Sequence, residues 1–228
     1  MNRYIRNIKD TLFTLLVSVT LFSCDAEEVK RESTQDLKNE KSNAEVLRDG
    51  DIIFQSSLSG QGKAIREATG SVYTHCGIVF EDNGQLYVFE AVQPVKSTPL
   101  EKWIARGRKG HYVAKRLKNA SDVLTDDVRK TMKAEGRKFK GKNYDLTFGW
   151  NDDKLYCSEL VWKLYERAAD VELCELSRMG DFDLSHPEVK RILKARYGDK
   201  IPLDDKVVSP AAIFESDLLQ SVKSEGSL

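Results

Sequence analysis

Three residues of this chain could do nucleophilic chemistry and stand where local structure would arm them: His75, Glu90 and Cys157. Cys157 opens a segment in which Leu160, Val161, Leu164, Tyr165 and Ala168 recur at helical spacing. A thiol in the first turn of a helix meets the positive end of the dipole and free amide donors, which lower its pKa toward the reactive thiolate. An imidazole beside such a thiolate pairs with it and later protonates a leaving amine. A carboxylate can hold that imidazole in the productive tautomer. Glu90 stands between Val88 and Val92 on a strand face that reads as buried, where a charge needs a partner. Taken alone, Cys157 also reads as a core thiol, because free cysteine is among the most buried residue types.

The elements that would hold these residues follow from pattern. Arg48-Asp49-Gly50 is a turn before the β-branched run Asp51-Ile-Ile-Phe54. Gly60, Gly62 and Gly70 punctuate a loop and a short helix over Lys63 to Thr69. Thr74 to Phe80 is expected as a strand, Asp82-Asn83-Gly84 as a tight hairpin turn, and Gln85 to Val92 as the return strand. A helical piece is expected over Leu100 to Arg106, a strand over His111 to Leu117, and a helix over Thr125 to Phe139 with acidic residues in its first turn. A loop over Gly141 to Asp153 leads to the best-marked helix, Tyr156 to Ala169. Beyond it the pattern is irregular until an extended Val207 to Pro210 and a terminal helix. The fold class is α+β, a small antiparallel sheet with helices.

Composition narrows the function classes. The 228 residues carry 36 basic and 36 acidic side chains, so nothing in the charge balance points to nucleic acid. Four cysteines are too few for a disulfide-built scaffold of this length. The N-terminus reads as an export signal: Arg3, Arg6 and Lys9 precede an uncharged apolar run over residues 11 to 22, then Ser23 and Cys24. The apolar run is too short to span a bilayer, which takes about 20 residues. Leu21-Phe-Ser-Cys24 resembles a bacterial lipobox, which implies a lipoprotein signal over 1–23 and lipidation of Cys24, with a bulky Phe22 as the departure. Residues 24–45 are charged and nearly free of apolar side chains, and read as a disordered tether. The domain is expected over 46–228.

The segments Arg48-Asp-Gly-Asp-Ile-Ile-Phe54, Tyr73-Thr-His-Cys-Gly-Ile-Val-Phe80 with its hairpin, Tyr144-Asp145 and Tyr156-Cys-Ser-Glu-Leu-Val161 resemble the permuted papain-like family of YiiX type. That family sits with the NlpC-like amidases and is related to the lecithin retinol acyltransferase group. The resemblance covers about residues 46–215 and implies a circularly permuted papain-like fold in which the histidine strand precedes the cysteine helix. It implies that Cys157 is the nucleophile, His75 the base and Glu90 the orienting group, and it lowers the weight of the core-thiol reading of Cys157.

Tyr144 and Tyr156 are candidates for an oxyanion donor beside the Cys157 N–H, or for walls of the cleft. Cys76 neighbours His75 and so points to the other face of the strand, toward the core. Cys174 is expected to be structural, and His111 and His186 to lie at the surface or at element ends. His75, Cys76, Cys157 and Cys174 have no recognised zinc-ligand spacing, so no metal and no cofactor are expected. The glycine-rich 57–70 segment lacks the Gly-Lys-Ser/Thr end of a phosphate loop and is expected to border the cleft. The expected protein is a lipid-anchored cysteine hydrolase of the cell envelope. Its substrate would be a peptidoglycan peptide or a lipid amide or ester, and the chain would be a monomer or weak dimer. The alternative is a non-catalytic lipoprotein that holds a peptide or fatty-acyl ligand in the same cleft.

Overall fold

The computed structural model describes residues 46–227, so the signal segment, Cys24 and the tether lie outside the described residues. Six strands carry the domain: β1 (Ile52–Ser57), β2 (His75–Asp82), β3 (Gln85–Glu90), β4 (Lys96–Pro99), β5 (Gly107–Leu117) and β6 (Leu219–Glu225). They form one sheet in the order β6-β5-β1-β2-β3-β4, with every pairing antiparallel. The helices are α1 (Gly60–Thr69), α2 (Leu100–Arg106), α3 (Asp126–Phe139), α4 (Cys157–Ala169), α5 (Pro187–Tyr197) and α6 (Pro210–Phe214), with a single turn at Ala120–Val123.

Both faces of the sheet are covered, which explains why its strands read as apolar runs rather than alternations. One face, with Ile52, Phe54, Cys76, Ile78 and Phe89, packs on α3 and α4 through Met132, Phe139, Leu160 and Leu164. The other, with Ile53, Val79, Val88 and Tyr112, packs on α2 through the fully buried Trp103. A third apolar cluster joins Ala64 of α1 to Val189 and Leu193 of α5 and to Met179 and Val207.

The β2–β3 hairpin turns at Asn83 and Gly84, whose φ values of 51° and 77° put both central residues in the left-handed region. Tight hairpins favour such a turn because its twist matches that of the flanking strands. Helix α1 starts earlier than its pattern suggests, at Gly60, because the Ser59 hydroxyl accepts the Gly62 N–H and caps it. Thr125 caps α3 in the same way.

Two elements depart from expectation. Helix α5 forms in the segment that reads as irregular, with Pro187 in its first turn and the His186 side chain capping it. The chain ends in β6 rather than a helix, and β6 pairs along β5 from Leu219 to Glu225. Strand β5 also starts four residues early, at Gly107. His111, expected at the surface or at an element end, is buried inside β5: its ring lies against Tyr73 and its Nδ1 faces the Gly226 carbonyl. His186 does sit at an element end.

Candidate functional site

The hairpin register builds the centre of the site. Ile78 pairs with Phe89, which sets Gly77 opposite Glu90 and leaves His75 one diagonal step away on the same face. Gly77 has no side chain to fill that step. A Cβ there would lie 2.5 Å from a Val88 methyl and 2.8 Å from the Phe89 carbonyl oxygen. Across the gap Glu90 Oε2 meets His75 Nε2 at 2.6 Å.

Glu90 is fully buried, and the protein satisfies its other oxygen. The Thr98 hydroxyl donates to Oε1 at 2.6 Å, and the Arg106 guanidinium donates to the same oxygen. Burial pushes the Glu90 pKa up, but these partners, His75 foremost, outweigh it and hold the carboxyl below its ordinary range. Strand β4 and helix α2 thus exist at this point to supply Thr98 and Arg106. The His75 ring also lies on Trp103, with centroids 6.0 Å apart and planes 27° apart. With Nε2 committed to Glu90, Nδ1 is the ring nitrogen left for sulfur.

Cys157 is the first residue of α4 and is 2% exposed. No side chain caps the helix at Tyr156; instead Glu159 accepts the Tyr156 N–H at 3.3 Å. The N–H groups of a first helical turn have no intrahelical partners, and Cys157 stands in that turn. The Cys157 pKa falls well below that of an ordinary thiol, because the Cys76 thiol bonds its sulfur and, against the opposing effect of burial, His75 stabilises the thiolate. For His75, burial pulls the pKa down, but Cys157 and Glu90 outweigh it and lift it to about 9. Both shifts favour the thiolate–imidazolium form of the pair.

Cys76 does point away from the His75 face, as strand alternation requires. That other face is the one on which α4 packs, so alternation brings Cys76 against Cys157 rather than away from it. Burial, and then the contact with Cys157, push the Cys76 thiol well above its ordinary range, so it stays protonated and donates. Cys174 lies beyond α4, where its carbonyl accepts the Trp162 indole N–H at 2.9 Å.

The two tyrosines part company. The Tyr156 oxygen accepts the Val208 N–H at 3.1 Å, and its ring stands edge-on to Phe148. The Tyr144 oxygen accepts from Gln61 Nε2 at 2.6 Å, and Gln61 Oε1 in turn accepts from Arg196 at 2.8 Å. This relay fixes the Gln61 amide and leaves the phenol proton of Tyr144 free to point elsewhere. Burial, and then the nearby Cys157 charge, push the Tyr144 pKa well up, so the phenol keeps that proton. Pattern reading did not single out Gln61 or Arg196: both stand on helices whose amphipathic spacing carries no sign of a pairing across 135 residues.

Cys157, Tyr144 and Tyr156 open onto a cleft of about 700 Å³, counted to its mouth, walled by α1, α5 and residues 207–210. The glycine-rich segment does border it, through Gln61, Ala64, Ile65 and Ala68 of α1.

A buried Cys-His-carboxylate set, with the histidine strand ahead of the cysteine helix, is the arrangement of a permuted papain-like protein. The model of the permuted papain-like amidase family, YaeF/YiiX, C92, matches residues 46–223, and this chain belongs to that family. It is therefore an enzyme of the cysteine amidase and peptidase class. Over 179 residues it is 46% identical to a protein of Escherichia coli strain K12 described as uncharacterized protein YiiX, covering 78% of this chain and 87% of that one. A crystal structure described as metalloprotein yiiX from Escherichia coli O157:H7 superposes with a TM-score of 0.75 at 45% identity, covering 79% of this chain and 99% of that one.

Proposed function

We propose that this chain is a lipid-anchored hydrolase of the cell envelope that cleaves an amide bond with Cys157 as nucleophile, His75 as acid and base, and Glu90 as the group that orients His75. The 2.6 Å contact between buried Glu90 and His75 Nε2, beside a thiol at a helix N-terminus, carries the reading.

The reaction follows from the protonation states. The Cys157 thiolate attacks the carbonyl carbon, and the carbonyl oxygen becomes an oxyanion. The Cys157 N–H and the Tyr144 hydroxyl are the donors that receive it. The imidazolium of His75 gives its proton to the departing amine, leaving an acyl group on sulfur and a neutral imidazole. That imidazole then takes a proton from water, whose oxygen attacks the thioester, and the acid leaves with the thiolate restored. Glu90 keeps Nε2 protonated throughout, so Nδ1 does the proton transfer.

The Escherichia coli neighbour is described as a metalloprotein. Among the described residues of this chain, no group of three or more His, Cys, Asp and Glu side chains is placed to hold a metal ion, and the steps above use the chain's own groups.

Envelope localisation rests on the basic, apolar, Ser-Cys order of the first 24 residues. Two acyl chains on Cys24 would hold the chain to a bilayer, each buried methylene adding about 0.8 kcal/mol. Two measurements test the proposal. Cys24→Ser is expected to move the protein from the membrane to the soluble fraction or to leave the signal uncut; a processed Cys24→Ser chain still on membranes refutes the anchor. Intact mass after brief exposure to an activated acyl substrate is expected to show one acyl group, mapped to Cys157. Acylation elsewhere, or acylation that survives in Cys157→Ala, refutes the nucleophile.

A further inference from the structure

Arg196 on α5, Gln61 on α1 and Tyr144 form one hydrogen-bonded chain along the wall beside Cys157, and the polarity of that chain is forced. A guanidinium only donates, so an amide that meets it must show it oxygen. Arg196 donates to Gln61 Oε1 at 2.8 Å. The Gln61 NH₂ group is thereby turned the other way, and Nε2 donates to the Tyr144 oxygen at 2.6 Å. Tyr144 accepts at that contact, which leaves its own proton for a third partner. A Gln61 amide turned end for end would offer Tyr144 an oxygen instead. The phenol would then donate to Gln61 and be lost to the reaction.

The charge on Arg196 is not balanced where it stands. Its guanidinium lies over the Phe148 ring, 5.2 Å from the centroid. Asp145 is the carboxylate whose field reaches it, and both oxygens of Asp145 are taken up by Thr147 and Gly149. Among the described residues no carboxylate forms an ion pair with Arg196. A cation partly withdrawn from water without a counter-charge is costly to keep. The balancing charge arises in the reaction itself, when the substrate carbonyl oxygen becomes an oxyanion at the far end of the chain. An interaction that strengthens only then lowers the barrier rather than merely binding substrate.

We propose that Arg196 is a positioning residue for the reaction: it fixes the direction of the Gln61 amide and polarises the Arg196–Gln61–Tyr144 chain, so that the Tyr144 proton is aimed at the oxyanion. This rests on the assignment of Tyr144 as an oxyanion donor and goes beyond it by naming the group that sets the donor's direction. Each bond of a hydrogen-bonded chain strengthens the next by roughly 10–30%, and an oxyanion donor is worth about 10²-fold, so polarisation alone accounts for up to about fourfold and reversal of the amide for up to about 10²-fold.

The test uses the full-length chain carrying Cys24→Ser, with p-nitrophenyl acetate as substrate and Cys157→Ala as the blank. The ester gives an acyl-thioester on Cys157 as an amide does, and p-nitrophenolate leaves in place of the amine. Arg196→Met is expected to lower Cys157-dependent kcat/KM by roughly 4- to 100-fold, with the rate of Cys157 alkylation by iodoacetamide little changed. Arg196→Lys, which keeps a cationic donor, is expected to recover part of the loss. In a chain that already carries Tyr144→Phe, Arg196→Met is expected to cost less than about twofold more, because the two residues act through one donor. Arg196→Gln replaces Arg196→Met in every arm if the latter fails to fold. An Arg196→Met loss that persists in full beside Tyr144→Phe overturns the inference, since Arg196 then acts by another route. So does native turnover in Arg196→Met when Tyr144→Phe is impaired. Native turnover in Tyr144→Phe removes Tyr144 as the donor, and the inference falls with it while the nucleophile stands. No Cys157-dependent turnover in any chain refutes the nucleophile assignment and this inference together.

Discussion

Glu90→Gln isolates the orienting role, because it keeps the side chain's size and removes its charge. In the native site one Glu90 oxygen faces His75 Nε2 and the other receives Thr98 and Arg106. A glutamine cannot serve both sides. If its oxygen turns to His75, its NH₂ meets the Thr98 hydroxyl and the Arg106 cation, a donor against a cation. If its NH₂ turns to His75, Nε2 must give up its proton, and the proton moves to Nδ1, where it faces the sulfur in the wrong charge state. Either way the imidazolium loses a charge-assisted hydrogen bond, worth roughly 1.5–3 kcal/mol. At about 1.4 kcal/mol per tenfold, that is a loss of roughly 10- to 150-fold in kcat/KM.

The same change moves the pH profile. His75 titrates at about 9 with Glu90 present, so turnover that needs the imidazolium is full below that pH and falls as pH rises through it. Without the carboxylate the alkaline limb is expected to move to lower pH. The assay is Cys157-dependent acyl-ester turnover from pH 5 to 10, with a thermal melt to confirm the fold. Unchanged turnover and an unchanged alkaline limb in a folded Glu90→Gln protein would refute the reasoning and send the orienting role to another residue. Loss of the fold would instead mark Glu90 as a structural charge, and Thr98→Val, which leaves the carboxylate in place, would then test the pair in a milder form.

Iodoacetamide at pH 6, mapped by mass spectrometry, is expected to mark Cys157 well before Cys76 or Cys174, because only the first is held below the ordinary thiol range; first labelling of Cys76 would reverse the assignment. Tyr144→Phe removes the proposed oxyanion donor and is expected to lower kcat by about 10²-fold with little change in Cys157 alkylation; Gln61→Leu is expected to fall between Tyr144→Phe and the native chain, as a positioning residue should. Gly77→Ala would force a methyl into the Val88 side chain and the Phe89 carbonyl, and is expected to cost about 1–3 kcal/mol in chemical denaturation while also parting His75 from Glu90.

How much of this was legible beforehand depends on how far apart in the chain the deciding partners lie. The β2–β3 hairpin was readable because its register is local: a two-residue turn in the left-handed region sets which residues face each other, and so sets Glu90 near His75. Helix α4, with Cys157 in its first turn, was readable because its apolar spacing is a property of a dozen consecutive residues. The charge on Glu90 between two valines announced a partner, because an unpaired buried carboxylate is too costly to keep. The family resemblance supplied the rest of the expectation, in particular that a histidine on one element and a cysteine some eighty residues later belong together.

Tertiary structure alone decided which face of β2 the cysteine helix covers. Alternation showed that Cys76 points away from His75, yet it has no bearing on what packs there, and α4 turned that core position into a donor for the Cys157 sulfur. Helix α5 and strand β6 were not readable, because weak local propensity is overridden by long-range pairing: β6 exists as the partner of β5, about a hundred residues upstream, and α5 as the partner of α1. The Arg196–Gln61–Tyr144 relay and the apolar groove arise from those same long-range contacts. Local sequence thus marked the candidate reactive groups, through helix termini and strand register, whereas what such a group can reach depends on surfaces assembled from segments that meet only in the folded chain.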